Sequence, residues 1–213
     1  MLIVAYYTKD TPYVGEAQRF AKSCVAAGMR LYLEPYDDRG DWNLNTNIKP
    51  LFIHKCLRIF DEPILYIDVD AVVHQNCDHY FDALQTDYDF ACFWLEGKRM
   101  LSGTLWFNCT DTAQKLLCAW LALNAWKQTK EDDFTGGGQR NLWQVLSDGT
   151  VSDLRSRRLP GRYCYAFRRP ECYGDEPRII EHLLASRENR DDSKGNTDPA
   201  RQKRIIELKA EGF

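Results

Sequence analysis

Four uninterrupted apolar residues, Ile64-Leu65-Tyr66-Ile67, lead directly into Asp68-Val69-Asp70. A short run of that kind, with no polar alternation, reads as a strand buried on both faces. Such strands belong to sheets with helices packed on either side. The run therefore points to an α/β architecture. It also delivers two carboxylates to the C-terminal end of the strand, the edge where open α/β sheets bind ligands.

The flanking pattern agrees. Residues 2–7 (LIVAYY) form a first strand, and residues 13–27 carry Val14, Ala17, Phe20, Ala21, Cys24 and Val25 at helical spacing before Gly28 stops the helix. Leu31-Tyr32-Leu33 gives a second strand, so the chain begins β-α-β, which favours a parallel sheet. Residues 37–47 read as a polar loop, and Pro50 opens the helix that precedes Ile64. Further strands are expected near 89–94 and 104–107, and helices over 113–126, 139–146 and 200–210. The stretch 159–167 looks extended, Ile179-Ile180 reads as a short strand, and the polar stretch from Ser186 to Arg201 reads as a loop. No internal repeat or interdomain linker is visible.

The length of 213 residues suits one domain with a sizeable core. A formal charge of −3 gives no overall nucleic-acid signature. The N-terminus has no basic region ahead of its apolar run, and no segment has the roughly 20 apolar residues needed to span a bilayer. A cytoplasmic protein follows. The eight cysteines contain no CxxC pair, and most sit in apolar patterns, so reduced buried thiols are expected rather than disulfides or zinc.

In extended backbone, residues i and i+2 point to one side, so Asp68 and Asp70 are expected to converge. Two carboxylates held close stay ionised only with a cation between them. Hard oxygen ligands suit Mg²⁺ or Mn²⁺, whose shells substrate phosphates complete. The plainer reading is two solvated aspartates in a turn after a strand.

The stretch KPLFIHKCLRIFDEPILYIDVDAVV resembles the DxD-containing core of GT-A-type glycosyltransferases, including the glycogenin-like group and small phage and bacterial nucleotide-diphospho-sugar transferases. SGTLWFN (102–108), GGGQRNLWQVL (136–146) and IIEHLLASR (179–187) lie in the order of that family's sugar-lining strand, sugar-facing loop and late metal segment. The resemblance implies a single GT-A-like domain with a Rossmann-like mixed sheet flanked by helices. Residues from about 1 to 100 would form the nucleotide-binding half, and those from about 101 to 213 the half for acceptor and sugar. It implies transfer of a hexose from a nucleotide-diphospho-sugar, UDP-glucose being one such donor, to a hydroxyl acceptor, with Mn²⁺ or Mg²⁺ as cofactor.

Carried over residue by residue, Asp70 binds the metal, Asp68 binds the metal or the ribose, and His182 completes the shell. This chain lacks the Gly and Lys-Pro-Trp that follow the histidine in glycogenin-like enzymes. Tyr7 and Thr8 would cradle the base and ribose, and Lys49, Lys55 and Arg187 are candidates for the diphosphate. Ser102, Gly103, Asn108 and Gly138 would approach the donor sugar. Gln139 and Asp133, with Asp132 beside it, are the catalytic candidates. For each, ordinary packing or solvation is the alternative.

The acceptor is least defined. Arg155, Arg157, Arg158, Arg162, Arg168 and Arg169 interleave with Tyr163, Tyr165 and Phe167. That pattern suits a phage-type enzyme modifying hydroxymethylpyrimidines in DNA. It equally suits an anionic glycan or a lipid phosphate. Two competing readings stand beside the transferase. A nucleotidyltransferase is disfavoured because TKDTPYVGEAQR after the first strand holds one glycine. A non-catalytic nucleotide- or glycan-binding module is the other.

Overall fold

The computed structural model describes residues 1–128, 137–170, 173, 176–186 and 198–213. Nine strands are described: β1 (Leu2–Thr8), β2 (Arg30–Tyr36), β3 (Ile64–Ile67), β4 (Ala71–Val73), β5 (Phe90–Leu95), β6 (Arg99–Phe107), β7 (Ser156–Arg158), β8 (Tyr165–Ala166) and β9 (Ile180–His182). The helices are α1 (Tyr13–Ala26), α2 (Trp42–Thr46), α3 (Lys49–Phe60), α4 (Asp78–Asp82), α5 (Asp111–Gln128), α6 (Gly137–Ser147) and α7 (Pro199–Ala210). Six strands form a mixed sheet in the order β2-β1-β3-β6-β5-β7. The β1 strand runs parallel to β2 and β3, and β6 is antiparallel to both β3 and β5. A small second sheet has the order β4-β9-β8.

Period-two alternation divides the core between the two faces of the large sheet. Ile3 and Ala5 of β1, with Leu65 and Ile67 of β3, pack towards Phe20 of α1. Leu2, Val4 and Tyr6, with Ile64 and Tyr66, pack with Phe52 of α3 and Trp120 of α5. Every residue of β3 is buried, as its apolar run requires. Each large side chain so buried contributes about 1.5–3 kcal/mol. No helix among the described residues is long and apolar enough to cross a membrane. Cys24, Cys56, Cys77, Cys92 and Cys164 are buried free thiols.

Two local expectations are corrected. The loop over 37–47 contains α2, because the Asp41 side chain caps it by accepting the Leu44 N–H at 2.9 Å. The stretch 159–167 is not one extended segment: a 3-10 turn (Gly161–Tyr163) precedes the two-residue β8.

The small sheet is fixed by buried charge. Glu181 of β9 is fully buried and meets His74 at 2.9 Å, Arg204 of α7 at 2.8 Å and Arg178 at 3.2 Å. Next along α7, Arg201 donates to the Leu183 carbonyl at 3.2 Å and pairs with Glu16 of α1 at 2.6 Å. Burial alone would raise the Glu181 pKa, but His74, Arg204 and Arg178 overcome it and hold the group down from 4.5 to about 2. The folded value lies below the unfolded one. The stabilisation is therefore complete above the unfolded value and is lost as pH falls through the folded one. Glu181→Gln is expected to lose about 3 kcal/mol near neutral pH. It should also weaken the fall in stability between pH 4.5 and about 2. Urea unfolding at neutral and acid pH checks both.

Candidate functional site

A cleft of about 510 Å³ opens at the C-terminal ends of β1 and β3, lined by Tyr7, Thr8, Lys49, Asp68, Asp70, Ser102, Gly103, Gly138, Gln139 and His182 among others. Ten of the residues proposed from sequence thus share one concavity.

The Asp68-Val69-Asp70 triplet is a tight turn rather than extended chain. The Ala71 N–H donates to the Asp68 carbonyl at 3.1 Å, and the Asp68 N–H donates to Gly103 O at 2.8 Å. The alternation argument for convergence fails here, and the two carboxylates have separate partners. Asp68 accepts from the Tyr66 hydroxyl at 2.6 Å and pairs with Lys49 Nζ at 2.8 Å. Burial, then the Asp68 charge, holds the Tyr66 phenol well above its usual pKa, so it remains a donor. Lys49 is itself buried, donates to Ser102 O at 3.1 Å and lies 4.8 Å from the centre of the Tyr66 ring.

Asp70 finds its partners on and just after β9. Antiparallel pairing sets Ala71 opposite His182, and the Leu183 N–H donates to the Asp70 carbonyl at 2.8 Å. The chain then turns through Leu184, whose φ of 57° is left-handed, and the Ala185 N–H reaches Asp70 Oδ2 at 2.8 Å. His182 Nδ1 stands 3.7 Å from Asp70 Oδ1, and its Nε2 is 2.9 Å from the buried Thr104 hydroxyl. Burial works against a charged imidazole, yet Cys164 and Asp70 hold His182 up at about 10. Burial would raise the Asp70 carboxyl, but His182, the Ala185 N–H and Arg201 keep it below its usual range.

These groups fit a divalent cation as a partial shell once the cation takes the place of the proton that Cys164 and Asp70 hold on His182. Asp70 Oδ1 and His182 Nδ1 face each other beyond hydrogen-bond distance, and Thr104 orients the ring through its other nitrogen, as in metal-bound histidines. Among the described residues no three His, Cys, Asp or Glu groups converge on one ion. Phosphate oxygens would have to complete the shell, as is usual for Mg²⁺ and Mn²⁺.

Gly103 is required by this arrangement: a Cβ there would lie 2.8 Å from His182 Cε1. Gln139, near the start of α6, accepts the Ser102 N–H through Oε1 at 3.0 Å. Thr8 Oγ1 lies 2.9 Å from Thr11 Oγ1, which fixes the turn after β1.

Two expectations fail on position. Lys55 lies outside the cleft, paired with Glu34. Asn108 is buried at the far end of β6, where its Nδ2 donates to Gln85 O and Tyr88 O at 2.8 Å each. Its amide ties a loop to the sheet and does not face a sugar. Asp132, Asp133 and Arg187 lie outside the described residues. Sequence reasoning missed Trp42, Asn43 and Asn45 of α2 and the cleft arginine Arg99, and named Arg169 only as one of six in the basic segment. Asp41, an N-cap type just before Trp42, was the available signal for α2. The Ala185 amide is a backbone donor and carries no sequence signal.

No protein-family model matches the sequence, and no curated protein matches it. Solved structures do. A glycosyltransferase involved in the glycosylation of the major capsid of PBCV-1 superposes with a TM-score of 0.66 at 14% identity, over 90% of this chain and 97% of that one. The glycosyltransferase GlyE of Streptococcus pneumoniae gives 0.61 at 14% identity, over 93% of this chain and 58% of that one. The galactosyltransferase LgtC, in complex with donor and acceptor sugar analogs, gives 0.54 at 12% identity, over 85% and 86%. The chain has the GT-A glycosyltransferase fold. Within it, the turn after β3 carries the acidic triplet and the small sheet brings up His182.

The contact at Gly103 is testable. Gly103→Ala should cost about 1–3 kcal/mol, because the added methyl meets a buried, hydrogen-bonded ring. An unchanged urea midpoint would show that the ring can withdraw freely.

Proposed function

We propose that this protein transfers a hexose from a nucleotide diphosphate, UDP being the first candidate, to a hydroxyl acceptor with the help of Mn²⁺ or Mg²⁺. The observation that carries the reading is the Asp70–His182 pair at the base of an open cleft in a GT-A fold. Asp70 and His182 would hold the cation, which when bound neutralises charge on the leaving diphosphate. The Ala185 N–H keeps the Asp70 carboxylate turned into the site.

The remaining residues divide by position. Tyr7 and Thr8 sit where β1 ends and would contact the base and ribose. Lys49 holds Asp68 in place and adds positive charge near the diphosphate. Ser102, Gly103, Gly138 and Gln139 form the wall that would face the donor sugar. In the reaction the bond from the sugar's anomeric carbon to the diphosphate oxygen breaks, a bond to the acceptor oxygen forms, and the acceptor's proton is released.

The test is turnover of UDP-glucose and UDP-galactose, read as UDP release, with Mn²⁺, with Mg²⁺ and with chelator. Asp70→Asn should lower turnover by about 100-fold. His182→Ala should raise the Mn²⁺ concentration needed for half-maximal rate. Thermal shift with UDP, GDP and CDP separates donor nucleotides through mass-action stabilisation. Metal-independent UDP binding that Asp70→Asn leaves unchanged, with no turnover, would mark a binding module instead and overturn the transferase reading.

A further inference from the structure

The basic segment before α7 does not present a continuous positive track. Arg155 pairs with buried Asp89 at 2.9 Å, Arg157 lies over Tyr88, and Arg158 lies over Trp94. Arg162 lies over Tyr163 and near Glu176, while Arg168 pairs with Asp198 at the start of α7. Five of the six are thus engaged by the protein's own groups. Arg169, exposed like most of them, differs in lining the cleft and in having no side-chain partner among the described residues. A second exposed arginine, Arg99 at the start of β6, lines the same cleft.

Other groups in this cleft sharpen the point. Asp68 and Asp70 already have partners of their own, Lys49 and Tyr66 for the first and His182 and the Ala185 N–H for the second. The same cleft is also lined by the apolar and aromatic side chains Leu95, Leu101, Leu184 and Tyr173. An apolar and aromatic wall suits the C–H face of a sugar ring, and guanidinium forks suit oxyanions.

We propose that the acceptor is a sugar bearing an oxyanion, phosphate or carboxylate, which Arg99 and Arg169 grip while its ring lies on that apolar wall. The term acceptor rests on the transferase reading above. Near the diphosphate, Lys49 and the cation already supply positive charge, which leaves the two arginines for a second anion.

Isothermal titration tests this on the full chain saturated with UDP and Mn²⁺, so that the donor site is filled. The probes are glucose 6-phosphate, glucuronic acid and methyl glucoside. At least one charged sugar should bind about tenfold more tightly than the neutral one. The double variant Arg99→Gln/Arg169→Gln should erase the difference while UDP affinity stays within about twofold; Arg157→Gln, outside the cleft, should change neither. Phosphate alone or carboxylate alone being preferred names the oxyanion. Equal binding of charged and neutral sugars, or a preference that survives the double variant, overturns the proposal. A matching fall in UDP affinity overturns it too, by assigning the arginines to the donor. If UDP does not bind the unaltered protein, the transferase reading fails, and the same sugar comparison on the nucleotide-free chain still decides whether the arginines hold an oxyanion.

Discussion

The pairing of β4 with β9 is the constraint on which the site depends. It sets Ala71 opposite His182, so a residue just after the acidic turn meets one from the late part of the chain. Three backbone-anchored contacts follow: Leu183 N–H to the Asp70 carbonyl, Ala185 N–H to the Asp70 carboxylate, and the imidazole facing that carboxylate. None arises from the large sheet alone. The large sheet supplies the floor, and the two-faced core sets the position of the turn after β3.

The small sheet has few strand residues, so α7 and its charges do much of the fastening. Glu181 and His182 are neighbours on β9 and point to opposite faces, as strand geometry demands. One side chain is held by Arg204, Arg178 and His74, and the other enters the cleft. Removing one partner from such a buried cluster leaves an uncompensated charge, which costs more than the pairing itself contributes. Arg201 extends the fastening to α1 through Glu16.

Much of this was legible in the sequence. Ile64–Ile67 announced a strand covered on both faces, and its next residues announced the edge at which the cleft opens. His182 could be named only through a family resemblance, because nothing local in IIEHLLASR specifies its partner. The i, i+2 argument for Asp68 and Asp70 failed because it assumed extended backbone where the chain turns. Lys49 and Lys55 look alike on one helix, yet only Lys49 is buried against Asp68, and that difference depends on how α3 is rotated against the sheet. Asn108 was misread because a strand-end amide facing a loop and one facing a ligand have the same sequence neighbours. Arg99 and Arg169 stand out only once the neighbouring arginines are seen to be engaged.

Leu184 sits between the two amides that hold Asp70, with its backbone in a region that a branched side chain occupies at a cost of about 1–2 kcal/mol. The surrounding contacts meet that cost during folding. The cation proposed above would therefore find its carboxylate already oriented, and little of its affinity would be consumed in arranging the loop. Rigidity here is inherited from the fold.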